Sequence, residues 1–126
     1  MIFALATLAE SRDSETGAHT LRIREYCKCL AFRLKKEKQF RSKITKQFID
    51  DIYHTSVLHD IGKVGIPDSI LLKEGKLTEK EFEIMKTHSE IGGRTLAKVY
   101  ESHPTHSFLE MATDIVLHHH EKWNGE

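Results

Sequence analysis

Long hydrophobic runs are missing from this sequence, and their absence removes one class of function. No stretch of eighteen apolar residues occurs among the 126, so no segment reads as a membrane-spanning helix. The amino terminus, Met1-Ile2-Phe3-Ala4-Leu5, has no basic n-region and meets an acid at Glu10, so it does not read as a secretion signal. Net charge is missing as well. Lysine plus arginine, 19 residues, offset 19 aspartates and glutamates, which leaves no global field favouring nucleic acid or an anionic membrane. Only two prolines and seven glycines interrupt the chain, and few segments alternate with period two, so long helices are expected and strands are not. Cysteine is scarce too. Cys27 and Cys29 lie two apart on an expected helix and point to roughly opposite sides, which argues against a mutual disulfide and against a metal-binding thiol pair. Both read as free thiols of a cytoplasmic protein, one of them in the core.

What remains is a chain of one-domain length with helical periodicity. Ile2, Leu5, Leu8 and Ala9 are spaced as a first helix that starts apolar from its first residue. Asp13 or Ser14 offers a cap for a second helix, on which His19, Ile23, Tyr26, Cys27, Leu30 and Leu34 form one stripe, expected to face inward. Lys35 to Lys46 is strongly basic; a patch for nucleic acid or a membrane surface is one reading, but with Phe40 the one aromatic interleaved with it a solvated helix-to-helix connection is the better one. The apolar period resumes at Ile44 and runs through Phe48, Ile52 and Thr55 to His59, with Gly62 as the residue that stops the helix. Asp68 is expected to cap a short turn through Leu72. Thr78-Glu79-Lys80-Glu81 has the form of a capping box, and opens a helix on which Ile84, His88 and Ile91 share a face. Gly92-Gly93 marks a kink or a close helix contact. His103 and His106 fall in loop composition and are expected in solvent. A last helix, from about Thr105 to Glu121, buries Phe108, Ala112, Ile115 and Val116.

Chemistry-bearing residues recur on these elements. His59 and Asp60 stand side by side at the end of an apolar run, with Lys63 about one helical turn beyond. Imidazole suits transition metals, and a carboxylate can bridge two cations. An inward, unpaired Asp60 would be costly to desolvate, and a cation beside it removes that cost; a metal-free salt bridge to Lys63 is the alternative. Glu15 and His19 are four apart and share a face if the helix has begun by Glu15. His119 lies near the middle of the last buried face, with His118 and His120 about 100° to either side, so periodicity does not choose between those two neighbours.

The ordered set Glu-Thr-Gly-x-His (15–19), His-Asp-Ile-Gly-Lys-Val-Gly-Ile-Pro (59–67), Met-Lys-Thr-His (85–88) and His-His-Glu-x-Trp (119–123) closely resembles the HD-GYP family, a branch of the HD phosphohydrolases, over nearly the whole chain. The resemblance implies an all-α HD-domain helical bundle of about six to seven helices. It implies two or three divalent ions, iron, manganese or similar, held by Glu15, His19, His59, Asp60, His88, His119 and His120. In that scheme Asp60 bridges, and alignment of the His-His pair before Glu121 and Trp123 selects His120 over His118. Lys63 becomes the contact to substrate phosphate, and the activity implied is hydrolysis of cyclic di-GMP in bacterial signalling. Residues 1–126 are then a single HD domain, the amino-terminal part of an HD-GYP output domain. The family's Gly-Tyr-Pro segment, and the following helix with a further aspartate ligand and basic residues, do not occur before Glu126. A catalytically incomplete module that binds metal, nucleotide or a signalling partner is therefore the alternative expectation, as is an HD hydrolase for another nucleotide. The expected partners are a cyclic dinucleotide and an N-terminally fused sensory or receiver domain; a homodimer is compatible, and nucleic acid is not expected.

Overall fold

The computed structural model describes residues 2–12, 17–102 and 107–125. Among them the fold is all-helical. Six α-helices follow in order: α1 (Ile2–Glu10), α2 (Gly17–Leu34), α3 (Lys46–Thr55), α4 (Asp68–Leu71), α5 (Glu79–Ser102) and α6 (Ser107–His118). Two 3₁₀ turns, Ser56–Leu58 and Ile61–Gly65, lie between α3 and α4. No described helix is long and apolar enough to cross a membrane. Glu15, the cap candidates Asp13 and Ser14, His103, His106 and the expected helix start at Thr105 lie outside the described residues.

The core has two parts. Ala6, Val57, Leu58, Ala112 and Val116 form the larger, so α1, the first 3₁₀ turn and α6 meet there. Ala31, Ile44 and Ile49 form the smaller, with Phe40 and Phe48 against them, at the far end of α2 and α3. Helix α3 is started by Thr45, whose hydroxyl oxygen accepts the Phe48 N–H at 3.0 Å. Helix α5 is started by the expected capping box: the Thr78 N–H donates to Glu81 Oε2 at 2.7 Å and the Glu81 N–H to Thr78 Oγ1 at 3.3 Å. It runs unbroken through Gly92-Gly93, which mark a close contact and no kink.

Several expectations are corrected. His59 and Asp60 do not end an α-helix. That helix stops at Thr55, and the two residues lie in a turn between the 3₁₀ segments. Gly62 is no helix stop but a point of near contact: a Cβ there would lie 1.8 Å from the His88 carbonyl oxygen and 2.7 Å from Gly92 N. On α2 the inward face is turned from the expected one. Thr20 and Ala31 are buried, Ile23 and Cys27 half-buried, and Tyr26, Leu30 and Leu34 face solvent. On α5, Ile84 points outward while His88 and Gly92 are buried. Asp68 does not cap α4 with its side chain; the cap position is Pro67, and Asp68 pairs with Arg12. Helix α6 ends at His118, three residues before the expected Glu121.

Candidate metal centre

Four segments bring the site together. The turn between the 3₁₀ segments supplies His59 and Asp60, the second of those segments Lys63, α5 His88, and the end of α6 His119 and His120. Gly62 is what permits the turn to lie on α5, because only a residue without a side chain fits against the His88 backbone. Gly92 leaves matching room, since a Cβ there would stand 2.7 Å from Val116 Cγ1. The absence of two Cβ atoms thus sets Asp60 beside His88 and α6.

Three imidazoles are held in one tautomer by backbone. His59 Nδ1 lies 3.0 Å from the Ser56 carbonyl oxygen, His88 Nδ1 2.7 Å from that of Met85, and His119 Nδ1 3.0 Å from that of Val116. A carbonyl only accepts, so each Nδ1 carries the proton and each neutral ring presents its Nε2 lone pair to the interior. Those lone pairs converge. His88 Nε2 is 3.2 Å and His119 Nε2 3.4 Å from Asp60 Oδ1, and the two nitrogens are 3.3 Å from each other. His120 Nε2 lies 3.2 Å from His88 Nε2, and His59 Nε2 3.2 Å from Asp60 Oδ2. Lys63 Nζ reaches Asp60 Oδ2 at 3.0 Å. The salt bridge expected as an alternative is therefore present, but it engages one carboxylate oxygen only.

The other oxygen tests whether a metal fits. Asp60 Oδ1 is buried and receives no well-formed hydrogen bond, although two imidazole nitrogens are close. Three acceptors facing one another at such distances repel. A proton relieves one pair, whereas a cation among them relieves all three. Donors about 2.1 Å from one ion stand roughly 3.0–3.4 Å apart, and the separations here, 3.2–3.4 Å, have that span. One ligand atom from each of Asp60, His88, His119 and His120 lies within 4.8 Å of all the others. The residues fit a transition-metal ion.

The electrostatics follow from crowding. Burial raises the Asp60 carboxyl pKa, but the close imidazoles of His119, His59 and His88 outweigh it and hold the group far below the usual carboxylate range. Burial works against a charged His59, yet the hydrogen bond and charge of Asp60, with Glu10 adding its field, leave that imidazole raised. His120 is lowered, first by burial and then by the neighbouring charges of His119 and His88.

His19 stands at the rim, its ring centroid 6.0 Å from that of His59. His118 turns outward to Glu121 at 2.5 Å, so of the three consecutive histidines the structure brings His119 and His120 into the cluster. An open cleft of about 500 Å³, lined by Asp114, Ile115, His118 and His119, adjoins the cluster at His119. Sequence reasoning missed two neighbours. Glu10 is buried and accepts the Thr20 hydroxyl; an acid on the same face of α1 as Ala6 and Ala9 was the available signal. Arg12 donates to the Val64 carbonyl oxygen at 2.5 Å and pairs with Asp68, which fastens the end of α1 to the segment after Lys63. No periodicity announces a contact that distant in sequence.

Comparison with known proteins adds an independent line. The HD domain family model matches residues 16–126. A cyclic di-GMP phosphodiesterase of Vibrio cholerae is 52% identical over 124 residues, covering 98% of this chain and 25% of that protein. A cyclic di-GMP phosphodiesterase of Thermotoga maritima is 43% identical over 121 residues, 96% of this chain and 29% of that protein. A 3′3′-cGAMP-specific phosphodiesterase 2 of Vibrio cholerae is 38% identical over 125 residues, 99% and 22% respectively. The chain thus spans about a quarter of the length of these curated relatives.

Proposed function

The chain belongs to the HD-domain family, and we propose that it is the metal-holding part of a phosphodiesterase for cyclic dinucleotides, with cyclic di-GMP as the leading substrate. In this reading residues 1–126 are one HD domain within a longer HD-GYP-type output domain. The single observation that carries the proposal is the mutual facing of Asp60 Oδ1 and the Nε2 lone pairs of His88 and His119. The names of the relatives support the substrate class.

His59, Asp60, His88, His119 and His120 would hold the ions, with Glu15 and His19 completing the set and Asp60 bridging. Two or three divalent ions of iron, manganese or similar kind suit these donors. Bound there, they supply Lewis acidity and an activated water near neutral pH. The chain's own residues do the rest. Backbone carbonyls at Ser56, Met85 and Val116 fix the orientation of the three rings, so that no imidazole must turn to bind. Lys63 stands beside the cluster, where its charge can take up a non-bridging phosphate oxygen as negative charge builds there. The 3₁₀ turn packs closely on α5, and the cleft by His118 and His119 borders the cluster at His119.

A hybrid cyclic dinucleotide is a second reading within this class, favoured by the 38% identity to the cGAMP-specific enzyme. Elemental analysis of protein purified without chelator, then turnover of both cyclic dinucleotides with added manganese or ferrous iron, tests the proposal. Bound metal with product from either substrate supports it, and the ratio of the two rates assigns the preference. Bound metal without turnover, in this chain and in its longer parent alike, would leave a metal-binding module and overturn the enzymatic reading.

A further inference from the structure

The overall charge balance conceals a segregation. Between residues 33 and 46 seven cations stand against one carboxylate, Glu37, so the acid that neutralises them lies elsewhere in the chain. Elsewhere six of the twelve cations form ion pairs among the described residues: Arg12 with Asp68, Arg24 with Glu25, Lys63 with Asp60, Lys73 with Glu81, Lys86 with Glu83 and Arg94 with Glu90. None of the seven forms an ion pair among the described residues, and six of them are exposed. Nor do they hang on a loose loop. The connection from α2 to α3 is wound by successive backbone bonds, including Lys36 N–H to the Arg33 carbonyl, Arg41 N–H to Glu37 and Ile44 N–H to Phe40. Ile44 and Phe40 anchor it on the smaller core. The positive charges are displayed on a fixed surface.

Apolar surface runs into the same place. Tyr26, Leu30 and Leu34 succeed one another at four-residue spacing on the outer face of α2, exposed to 63%, 61% and 41%. Uncovered apolar side chains merging with unpaired cations are the two features of a surface that settles into an anionic bilayer interface. A nucleic acid would use the charge and leave the leucines unexplained. The aromatic within the basic run, Phe40, is also packed against the core and not offered to a base. A protein partner would need acidic groups in register with the cations, whereas a plane of anionic headgroups needs none.

We propose that the carboxy-terminal end of α2 and the basic connection after it form a docking surface for an anionic phospholipid bilayer. The cations meet the headgroups, while Leu30 and Leu34, which share one face of α2, enter the boundary beneath them. This surface is separate from the residues of the metal centre. The test is co-sedimentation of the protein with large vesicles of phosphatidylcholine containing roughly a third phosphatidylglycerol, against pure phosphatidylcholine. Binding to the anionic vesicles alone, weakened by salt, is expected. Charge reversal in Lys36→Glu/Lys38→Glu/Lys43→Glu should lower the partition constant on the order of a hundredfold or more, at several-fold per charge. Leu30→Ser/Leu34→Ser should lower it roughly tenfold or more with the salt dependence retained. Unchanged thermal melting and metal content mark both variants as folded; were the first to melt early, Lys36→Gln/Lys38→Gln/Lys43→Gln replaces it with the same expected direction. Equal binding to neutral vesicles, full binding by the charge variant, or tighter binding to a single-stranded RNA oligomer at the same salt would each overturn the proposal.

Discussion

At Asp60 the two carboxylate oxygens have different company. Oδ2 meets Lys63 and His59, while Oδ1 faces the lone pairs of His88 and His119. The two kinds of neighbour separate charge balance from ligation, and substitution should separate them too. Asp60→Asn keeps the volume and removes the charge. Metal content, read by elemental analysis, should fall to near zero, a larger loss than the roughly 10–100-fold that removal of an outer-shell partner costs. Lys63→Met should instead retain the metal and lose about 10–100-fold in turnover, because in the proposed function it removes a charge placed to steady the phosphate without removing a ligand. Equal metal loss in both variants would mean that Lys63 holds the site together and has no separate part in the chemistry.

At the scale of elements, the decisive contact is a turn laid directly on a helix. Gly62→Ala would drive a methyl group to within 1.8 Å of the His88 carbonyl oxygen, a backbone atom with no freedom to yield. Overpacking of this kind costs about 1–3 kcal/mol, occasionally more, and the displaced atoms belong to His88 itself. Urea unfolding should show a loss of about 3 kcal/mol together with weakened metal binding. Gly75→Ala is the comparison: φ there is +97° with open space around the new Cβ, so a cost of only about 1 kcal/mol is expected, with metal binding intact. Glu81 offers a pH test at the start of α5. Its hydrogen bonds to Lys73 and to the backbone and hydroxyl of Thr78 lower its pKa from 4.5 to about 2. A depressed carboxylate contributes stability that is present above 4.5 and is lost as pH falls towards 2. Glu81→Gln should therefore flatten the acid limb of the stability profile in that window; an unchanged limb would show that the capping pair persists in the unfolded chain.

The same elements show what was legible in the sequence. The all-helical class followed from the 3.6-residue periodicity, and the start of α5 was legible because a capping box is a local arrangement. His119 stood on an apolar stripe that does face the core, and His88 is buried although Ile84 of its expected stripe points outward. The exact faces were less secure. On α2 the apolar stripe Tyr26-Leu30-Leu34 suggested burial, yet the packed face contains Thr20, Ala31 and half-buried Cys27. Hydrophobicity alone does not distinguish a core face from one left uncovered. His59 and Asp60 were placed by continuing one helical phase through residues that wind as 3₁₀ segments, and the tighter winding changes that phase. The role of Gly62 could not be read locally, because the backbone it accommodates lies 26 residues away at His88.

On the scale of the whole molecule, the centre is where segments distant in sequence meet. The turn after α3, helix α5 and the end of α6 each contribute donors, and hydrophobic packing, with the Lys63–Asp60 ion pair, brings mutually repelling acceptors together. That repulsion opposes folding until a cation relieves it, so metal and fold should be coupled. A ligand that binds only the folded chain, at a hundredfold excess over its dissociation constant, stabilises by about 2.7 kcal/mol. For a domain of this size that is on the order of 10 °C in melting temperature. Manganese added to chelator-treated protein should produce a rise of that order, and excess chelator should reverse it. His88→Ala removes the imidazole with closest contact to Asp60, His119 and His120 together, and should abolish most of the rise. The rise should also shrink as pH falls, because protons compete for the same Nε2 lone pairs. A melting temperature indifferent to manganese, in protein shown by elemental analysis to have taken up the metal, would break the link between ligation and fold: the four donors would then converge without the strain that the cation is inferred to relieve.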